Sequence, residues 1–385
     1  MRIAVPKEVR ADEQRVALAP ESVKKLVKAG IEVVVERDAG ESAFLFDAAY
    51  QESGATIEPD VAALLGNADL VLKVQPPTDH PGLGRHEVDL MRPGAMLLGT
   101  LLPTVNLPMV RKLVERRISA LATDAIPRTT RAQSMDTLSS MANIGGYKAV
   151  LIAAQELPKY FPMFMTAAGT IFSAKVFVIG AGVAGLQAVA TARRLGGTVT
   201  ATDTRSAVAE QIQSLGAKFV GVESEEDAQT ASGYAKELSE DFYRKQAELI
   251  AAQCAASDVV IATALIGGVK APKLITSEMV RHMQPGAVIV DLAATAGGNC
   301  ELTKPGQTVV EHGVKICAPL NLPAEMPLHG SMLYSRNLTT FVLEFWKDNR
   351  FNLDLEDEII AGALITHEGQ VRHEPTRKAL EGGEG

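Results

Sequence analysis

Residues 175–195 read KVFVIGAGVAGLQAVATARRL, and this stretch decides the fold. Its first five residues are a β-rich apolar run and its last ten have helical composition. Between them stand Gly180, Gly182 and Gly185 in the pattern GxGxxG. That pattern alone is weak, but directly after a strand and opening a helix it is the signature of a dinucleotide-binding turn. Gly180 permits the tight turn, Gly182 lets a pyrophosphate approach the backbone, and Gly185 lets the helix pack on the strand. The helix N-terminus then presents free N–H groups and a partial positive charge to the phosphates. Asp203 closes the next strand, TVTATD, at the offset of roughly 20 residues expected of a carboxylate that bonds an adenosine ribose. A carboxylate there repels a 2′-phosphate. The reading therefore favours NAD(H) over NADP(H), although Arg205, two residues on, is of a type that welcomes that phosphate.

Working outward, the pattern predicts further strands at 198–202, 218–220, 259–263, 287–292 and 314–318, with helices between them. The first third has the same rhythm. Strands are predicted at 2–6, 31–35, 69–74, 95–98 and 118–122, and helices at 20–29, around 47–53 and at 107–117. Gly30 stops the first helix, and Pro76 and Pro77 end the 69–74 strand. Such alternation implies mostly parallel sheets with helices on both faces. DVVIAT (258–263) mirrors DLVLKV (69–74), and MQPGAVIVDL (283–292) mirrors MRPGAMLLGT (91–100). Duplication and chance both remain open for so short a match. Helical runs at 143–157 and 332–346 join the blocks, and the tail has β-like runs around Ile359 and at 363–365 that return to the first block. The end, 380–385, reads as frayed. The expected fold is α/β, two Rossmann-like doubly wound domains with a cleft between them: residues 1–140 plus 331–385, and residues 141–330 as the dinucleotide-binding domain. Two crossings make a hinged cleft, a common place for a ligand.

Composition narrows the classes. A chain of 385 residues exceeds what one core usually serves. Lys+Arg number 38 and Asp+Glu 46, a net charge of −8, which argues against a nucleic-acid partner. No dense basic block suits anionic lipid. Cys254, Cys300 and Cys317 are far apart and form neither a disulfide framework nor a metal pattern, so they read as reduced, buried thiols. The start, MRIAVPKEVR, carries charges where a signal peptide needs an apolar run, and a cytoplasmic location follows. Residues 176–192 are apolar apart from Gln187, yet fall short of the roughly 18–20 residues that a bilayer needs, so no transmembrane helix and no metal site are expected.

Oxidising an alcohol or amine requires a general acid/base beside the hydride donor, usually histidine. The seven histidines (80, 86, 282, 312, 329, 367 and 373) do not fall at strand ends facing the expected cleft, and they read as solvated or structural. The chain therefore reads as one that binds nicotinamide without a complete acid/base set. PRTTRAQSMDTLSS (127–140) gathers Arg128, Arg131, Gln133, Asp136, Ser139 and Ser140 between the blocks. Two readings stay open: a cluster that bonds an amide and phosphates, and a helix N-cap with surface charges. AQTASGYAKEL (228–238), with Tyr234, is longer than a usual β/α connection and reads either as a mobile flap or as a passive loop.

Together, IAVPKE (3–8), QRVALAP (14–20), KVQPP (73–77), RAQSMDTLSS, GAGVAGLQA, SGYAKEL (232–238), TALI (263–266) and VDLAATAGGNCE (290–301) resemble the NAD(H)-binding subunit of proton-translocating nicotinamide nucleotide transhydrogenases. The resemblance runs from residue 1 to about residue 370, and RAQSMD and GYAKEL are its most discriminating pieces. It implies direct, Re/Si-specific hydride transfer from NADH to NADP⁺ held on a partner subunit, coupled to proton movement by membrane-spanning subunits. Nicotinamide-to-nicotinamide transfer needs no protein acid/base, which agrees with the histidine reading. By resemblance, Arg128, Gln133, Asp136 and Ser139 surround the nicotinamide and its ribose, with Gln133 toward the NADP(H)-bearing partner. Val183 sits at the glycine turn. Asp203, Thr204 and Arg205 border the adenosine ribose, Gly233 and Leu265 line the dinucleotide, and Tyr234 rides on the mobile loop. A homodimer, peripheral to the inner membrane through its partners, is implied as well.

Alanine dehydrogenases are similar too, and Arg15 and Lys73 match their substrate contacts. Their catalytic His belongs in a YLHLA-like segment, where this chain has GTLLPT with Leu102. Their catalytic Asp belongs in an AIDQGG-like segment, where this chain has AATAGG with Thr295. Both acid/base groups are missing, which argues against amine oxidation. A non-catalytic NAD(H) sensor is the third alternative.

Overall fold

Period-2 apolar runs with helices between them bury both faces of a sheet, and this chain builds two such sheets. We describe a computed structural model that covers residues 1–222, 239–265 and 270–382. The chain divides into two compact units, residues 1–141 with 323–385, and residues 142–322.

In the first unit, six parallel strands lie in the order Thr56–Glu58, Glu32–Glu36, Arg2–Val5, Leu70–Leu72, Met96–Gly99 and Ser119–Ala122. Leu364–His367 then pairs antiparallel with Ser119–Ala122, and Gln370–Val371 closes the edge. Alternate residues serve opposite faces. Ile3, Val33, Val35, Leu70 and Leu72 pack into one core, while Ala4, Val34, Val71, Leu97 and Ala120 pack into the other. Near-continuous apolar runs are what a parallel sheet covered on both sides requires.

In the second unit the order is Lys218–Phe219, Thr198–Thr202, Lys175–Ile179, Val259–Ala262, Val288–Asp291 and Val314–Cys317, all parallel, with Thr308–Glu311 antiparallel at the edge. Counted along the chain, both sheets begin 3-2-1-4-5. The mirrored sequence segments hold corresponding places: Leu70–Leu72 and Val259–Ala262 are each the fourth strand, and Met96–Gly99 and Val288–Asp291 each the fifth. This is the doubly wound order, with a switch point between the first and fourth strands.

Local chemistry sets the boundaries, and some differ from the sequence reading. The helix expected at 143–157 spans Thr137–Glu156, because Asp136 caps it: Asp136 Oδ1 accepts the Ser139 N–H. The run around Ile359 is not β but the helix Glu358–Ala363, started by Asp357, whose carboxylate accepts the Ile359 N–H. Residues 380–382 belong to the helix Glu374–Gly382 rather than to a frayed end. A hairpin of Phe164–Thr166 and Gly169–Ile171 has no counterpart in the sequence reading. The three cysteines are buried and free. Among the described residues, no helix is long and apolar enough to cross a membrane.

At the switch point of the first unit the ends of the strands carry buried ions. Lys73 Nζ lies 2.6 Å from Glu87 Oε1 and 3.2 Å from Glu8 Oε2, and all three side chains are buried. Burial alone would lower the Lys73 ammonium pKa, but the two carboxylates hold it above the usual lysine range. Tyr334, on the helix Pro327–Phe345, donates its hydroxyl to the Lys73 carbonyl at 2.9 Å and accepts the Thr100 N–H at 3.0 Å. The late segment is thereby tied to the early strands. Arg15 forms a buried fork with Glu13, with Nε–Oε1 at 2.7 Å and Nη2–Oε2 at 2.6 Å. Burial would raise the Glu13 carboxyl, but the Arg15 guanidinium and the Gln75 amide pull it down to about 2.

A depressed carboxyl stabilises the fold above its unfolded pKa and loses that contribution as pH falls through the folded value. We expect Glu13→Gln to cost about 3 kcal/mol at neutral pH, as for one broken partner of a buried pair. Denaturant unfolding of both proteins should show the gap closing as pH falls from 4.5 toward about 2.

Candidate functional site

The switch point of the second unit lies between Lys175–Ile179 and Val259–Ala262. The glycine turn leaves the first of these strands. Gly180 has φ +90°, a left-handed value that penalises a side chain. A Cβ on Gly185 would lie 1.8 Å from the Gly180 carbonyl oxygen, so only glycine lets the helix Val183–Arg194 start against the strand end. A Cβ on Gly182 would meet nothing within 4 Å, so its missing side chain leaves open space beside the backbone. Gly182 is also the N-cap and makes no side-chain capping bond, and Val183 follows it, exposed. The first N–H groups of a helix have no intrahelical partner. With open space at Gly182 and a helix dipole behind it, these residues fit a dinucleotide pyrophosphate.

Asp203 follows the strand Thr198–Thr202. Its Oδ2 accepts the Ala181 N–H at 2.7 Å and an Arg205 guanidinium N–H at 3.0 Å, while Oδ1 accepts the Arg205 backbone N–H and Nε–H, each at 2.9 Å. Burial would raise this carboxyl, but Arg205 and the two backbone donors hold it below the usual range. The carboxylate thus braces the glycine turn through Ala181, and its outer positions are filled by Arg205. Thr204 lies half-buried beside them. On the other wall of the crevice, Thr263 donates its hydroxyl to the Ile179 and Gly180 carbonyls at 3.1 and 3.0 Å, and Leu265 is exposed. Gly233 and Tyr234, with the whole 228–238 segment, lie outside the described residues.

The first unit holds a cavity of about 300 Å³ lined by Ile126, Pro127, Arg128, Thr129, Thr130, Ala132, Gln133, Asp136 and Ser139. The four residues expected around a nicotinamide all line it. Arg131 does not. It pairs with Asp357 at 2.6 Å and Glu344 at 3.1 Å, and lies over the Phe345 ring. Both readings of RAQSMDTLSS hold for Asp136. It caps the helix Thr137–Glu156, accepting the Ser139 N–H at 2.9 Å and the Ser139 hydroxyl at 2.5 Å, and it also faces the cavity. Thr129 is a lining residue that sequence reasoning misses. Its hydroxyl oxygen is buried without a hydrogen-bond partner, and no spacing pattern marks such an atom. Among the described residues, no histidine lines the cavity. Leu102, where a catalytic His would stand in an alanine dehydrogenase, is 44% exposed with φ +47°. Thr295, in place of the catalytic Asp, lies exposed on the short 3₁₀ turn Ala294–Ala296.

Two parallel-sheet units of Rossmann-like type, one opening on a dinucleotide-type glycine turn, define the class. The N-terminal domain model of the alanine dehydrogenase/PNT family matches residues 4–145 and the C-terminal domain model residues 149–374, so the chain belongs to that family. It is 49% identical to the first of the polypeptides that make up NAD(P) transhydrogenase subunit alpha in Rhodospirillum rubrum, covering 97% of this chain and 98% of that one. The solved transhydrogenase of Sinorhizobium meliloti superposes with a TM-score of 0.84 at 40% identity, covering 97% and 99%. A solved L-alanine dehydrogenase superposes with a TM-score of 0.83 at 25% identity, covering 99% of each chain.

Asp136→Ala removes the cap of a 20-residue helix. We expect a loss of about 1 kcal/mol in stability. Thermal denaturation checks it, with Asp136→Asn, which retains a capping oxygen, closer to wild type.

Proposed function

We propose that this chain is the NAD(H)-binding subunit of a proton-translocating, Re/Si-specific transhydrogenase. It acts in direct hydride transfer between NADH and NADP⁺ held on a partner subunit. The observation that carries the reading is the cavity: Arg128, Gln133, Asp136 and Ser139 line one space without a histidine among the described residues, and the carboxylate that faces it is engaged in capping. Transfer between two nicotinamides needs positioning and exclusion of water rather than a proton acceptor. The relatives named as transhydrogenase subunits and their near-complete coverage of this chain support the same reading.

NAD(H), when bound, supplies the hydride. The second unit is its binding domain in this reading, within the boundaries 141–330, and residues 1–140 with 331–385 form the other domain. The amides at Gly182 and Val183 hold the pyrophosphate, and Gly185 keeps the helix start in place. Asp203 receives the adenosine ribose hydroxyls, which take over positions now filled by Arg205. Thr204, Gly233, Tyr234 and Leu265 complete the binding set. Gln133 and Arg128 bond the carboxamide and ribose at the reacting end, with Asp136 and Ser139 holding the wall of the site. Partners are the NADP(H)-binding and membrane-spanning subunits, which keep the chain at the cytoplasmic face of the inner membrane. A homodimer is supported by the hairpin at 164–171, which leaves Met165 78% and Phe172 76% exposed beside Tyr160 and Met163. So large an apolar patch is a protein-contact signature. The alanine dehydrogenase alternative has the fold in its favour, but Leu102 and Thr295 supply neither acid nor base.

The test is hydride transfer from NADH to an NADP⁺ analogue, followed by absorbance, for the chain alone and with an NADP(H)-binding partner subunit. Transfer only with the partner, and none from L-alanine to NAD⁺, is expected. Alanine turnover by the chain alone would overturn the reading, and NADH binding without transfer would favour a sensor. Asp203→Ala frees Arg205 and removes the acceptor for the ribose, so NADH affinity should fall on the order of tenfold while NADPH affinity rises, as read by fluorescence titration. Met165→Asp in the hairpin should shift sedimentation from dimer toward monomer.

A further inference from the structure

One fully buried polar side chain backs the crevice without belonging to the expected binding set. Asn299 lies in the loop after Val288–Asp291 and is 0% exposed. Its Oδ1 accepts the Ala264 N–H at 3.0 Å, and its Nδ2 donates to the Ala264 carbonyl at 2.8 Å and to the Pro272 carbonyl at 2.9 Å. Its own backbone carbonyl accepts the N–H groups of Leu274 and Ile275 at 2.8 and 3.0 Å. A single carboxamide therefore satisfies both peptide groups of Ala264. Ala264 follows Thr263, whose backbone N–H is given to Ile179 at 2.9 Å and whose hydroxyl reaches the Gly180 carbonyl. Thr263 Oγ1 lies 2.7 Å, and the Ala264 nitrogen 3.4 Å, from where a Gly180 Cβ would stand. The contacts run without a gap from Asn299 through Ala264 and Thr263 to the glycine turn.

We propose that Asn299 is a positioning residue for the dinucleotide site. Its carboxamide holds Thr263 and Ala264 against the Gly180 turn, fixing one wall of the crevice and the placement of Leu265. The inference rests on reading that crevice as the NAD(H) site. The position requires one acceptor and two donors at once, and among short side chains only the carboxamide offers both. Asp at 299 keeps the shape, but when ionised it turns lone pairs toward two carbonyl oxygens. When protonated it recovers one donor. Burial raises the pKa of such a carboxyl, so the protonated form is recovered at mildly acidic pH. The ionisable groups around it are Lys273, bonded to the Gly297 and Cys300 carbonyls; Asp291, which accepts the Cys300 N–H; and the Cys300 thiol.

The experiment is NADH titration by fluorescence on the full chain, comparing wild type, Asn299→Ala and Asn299→Asp from about pH 8 to about pH 6, with thermal denaturation in parallel. Asn299→Ala should lose on the order of tenfold in affinity, the factor equivalent to 1.4 kcal/mol. Asn299→Asp should bind weakly at the higher pH and regain affinity as pH falls, while wild type stays flat. A purely structural residue would lower the melting temperature and leave the affinity of the folded protein unchanged. That result, or weak binding by Asn299→Asp without pH dependence, overturns the proposal. If Asn299→Ala does not fold, the pH profile of Asn299→Asp decides alone. Absence of NADH binding by wild type overturns the cofactor reading and this inference with it; tight binding by wild type and both variants overturns the inference only.

Discussion

The second unit depends on a contact that leaves no room for a carbon atom. Gly185 sits so close to the Gly180 carbonyl that any side chain would collide with it. That closeness places the N-terminus of the helix Val183–Arg194 at the carboxyl end of the central strand, where its amides face the crevice. A second close approach reinforces it from another element: a Cβ on Gly146, in the helix Thr137–Glu156, would lie 2.0 Å from the Ala184 carbonyl oxygen. Asp203 then braces the turn from the neighbouring strand through Ala181, and Thr263 from the other side. Each brace works only because the glycines admit the approach.

The first unit shares the strand order and uses its switch point differently. Where the second unit has bare backbone, the first has Glu8, Lys73 and Glu87 packed into one another, almost wholly out of water. Desolvating three charges is costly, and the cost is offset only by close pairing and by backbone bonds such as the Val74 N–H to Glu8 and the Thr78 N–H to Glu87. The cluster consequently fixes three loops relative to one another. Its open space lies instead at 126–139, beyond the last parallel strand, where the cavity forms.

Legibility in the sequence follows locality. The glycine turn is readable because each glycine answers a separate, short-range demand: a positive φ, open space, a close approach. The strands are readable because both faces are buried, giving unbroken apolar runs. Asp136 is readable in both its roles, since a cap is a matter of three residues. Ile359 misleads because one apolar residue in a short segment carries no period, and the decisive signal is the capping Asp357 two positions earlier. The hairpin at 164–171 escapes the pattern because its apolar residues face outward rather than alternating between core and solvent. Asn299 and Thr129 are invisible for a different reason: a buried amide or hydroxyl acquires meaning from backbone groups that only the fold brings to it.

The order in which the first sheet is completed bears on the life of the chain before it is finished. Thr366 bonds the Ile118 carbonyl across 248 residues of sequence, and among the described residues the strand Leu364–His367 is the element paired to the outer side of Ser119–Ala122. During synthesis the strand Ser119–Ala122 emerges with an open, apolar edge, and its cover arrives only after the whole of the second unit has been made. An uncovered edge is a template for pairing with another chain. The nascent protein therefore carries an aggregation-prone interval set by its own topology, ended by the last few dozen residues, and truncation of that tail would make the interval permanent.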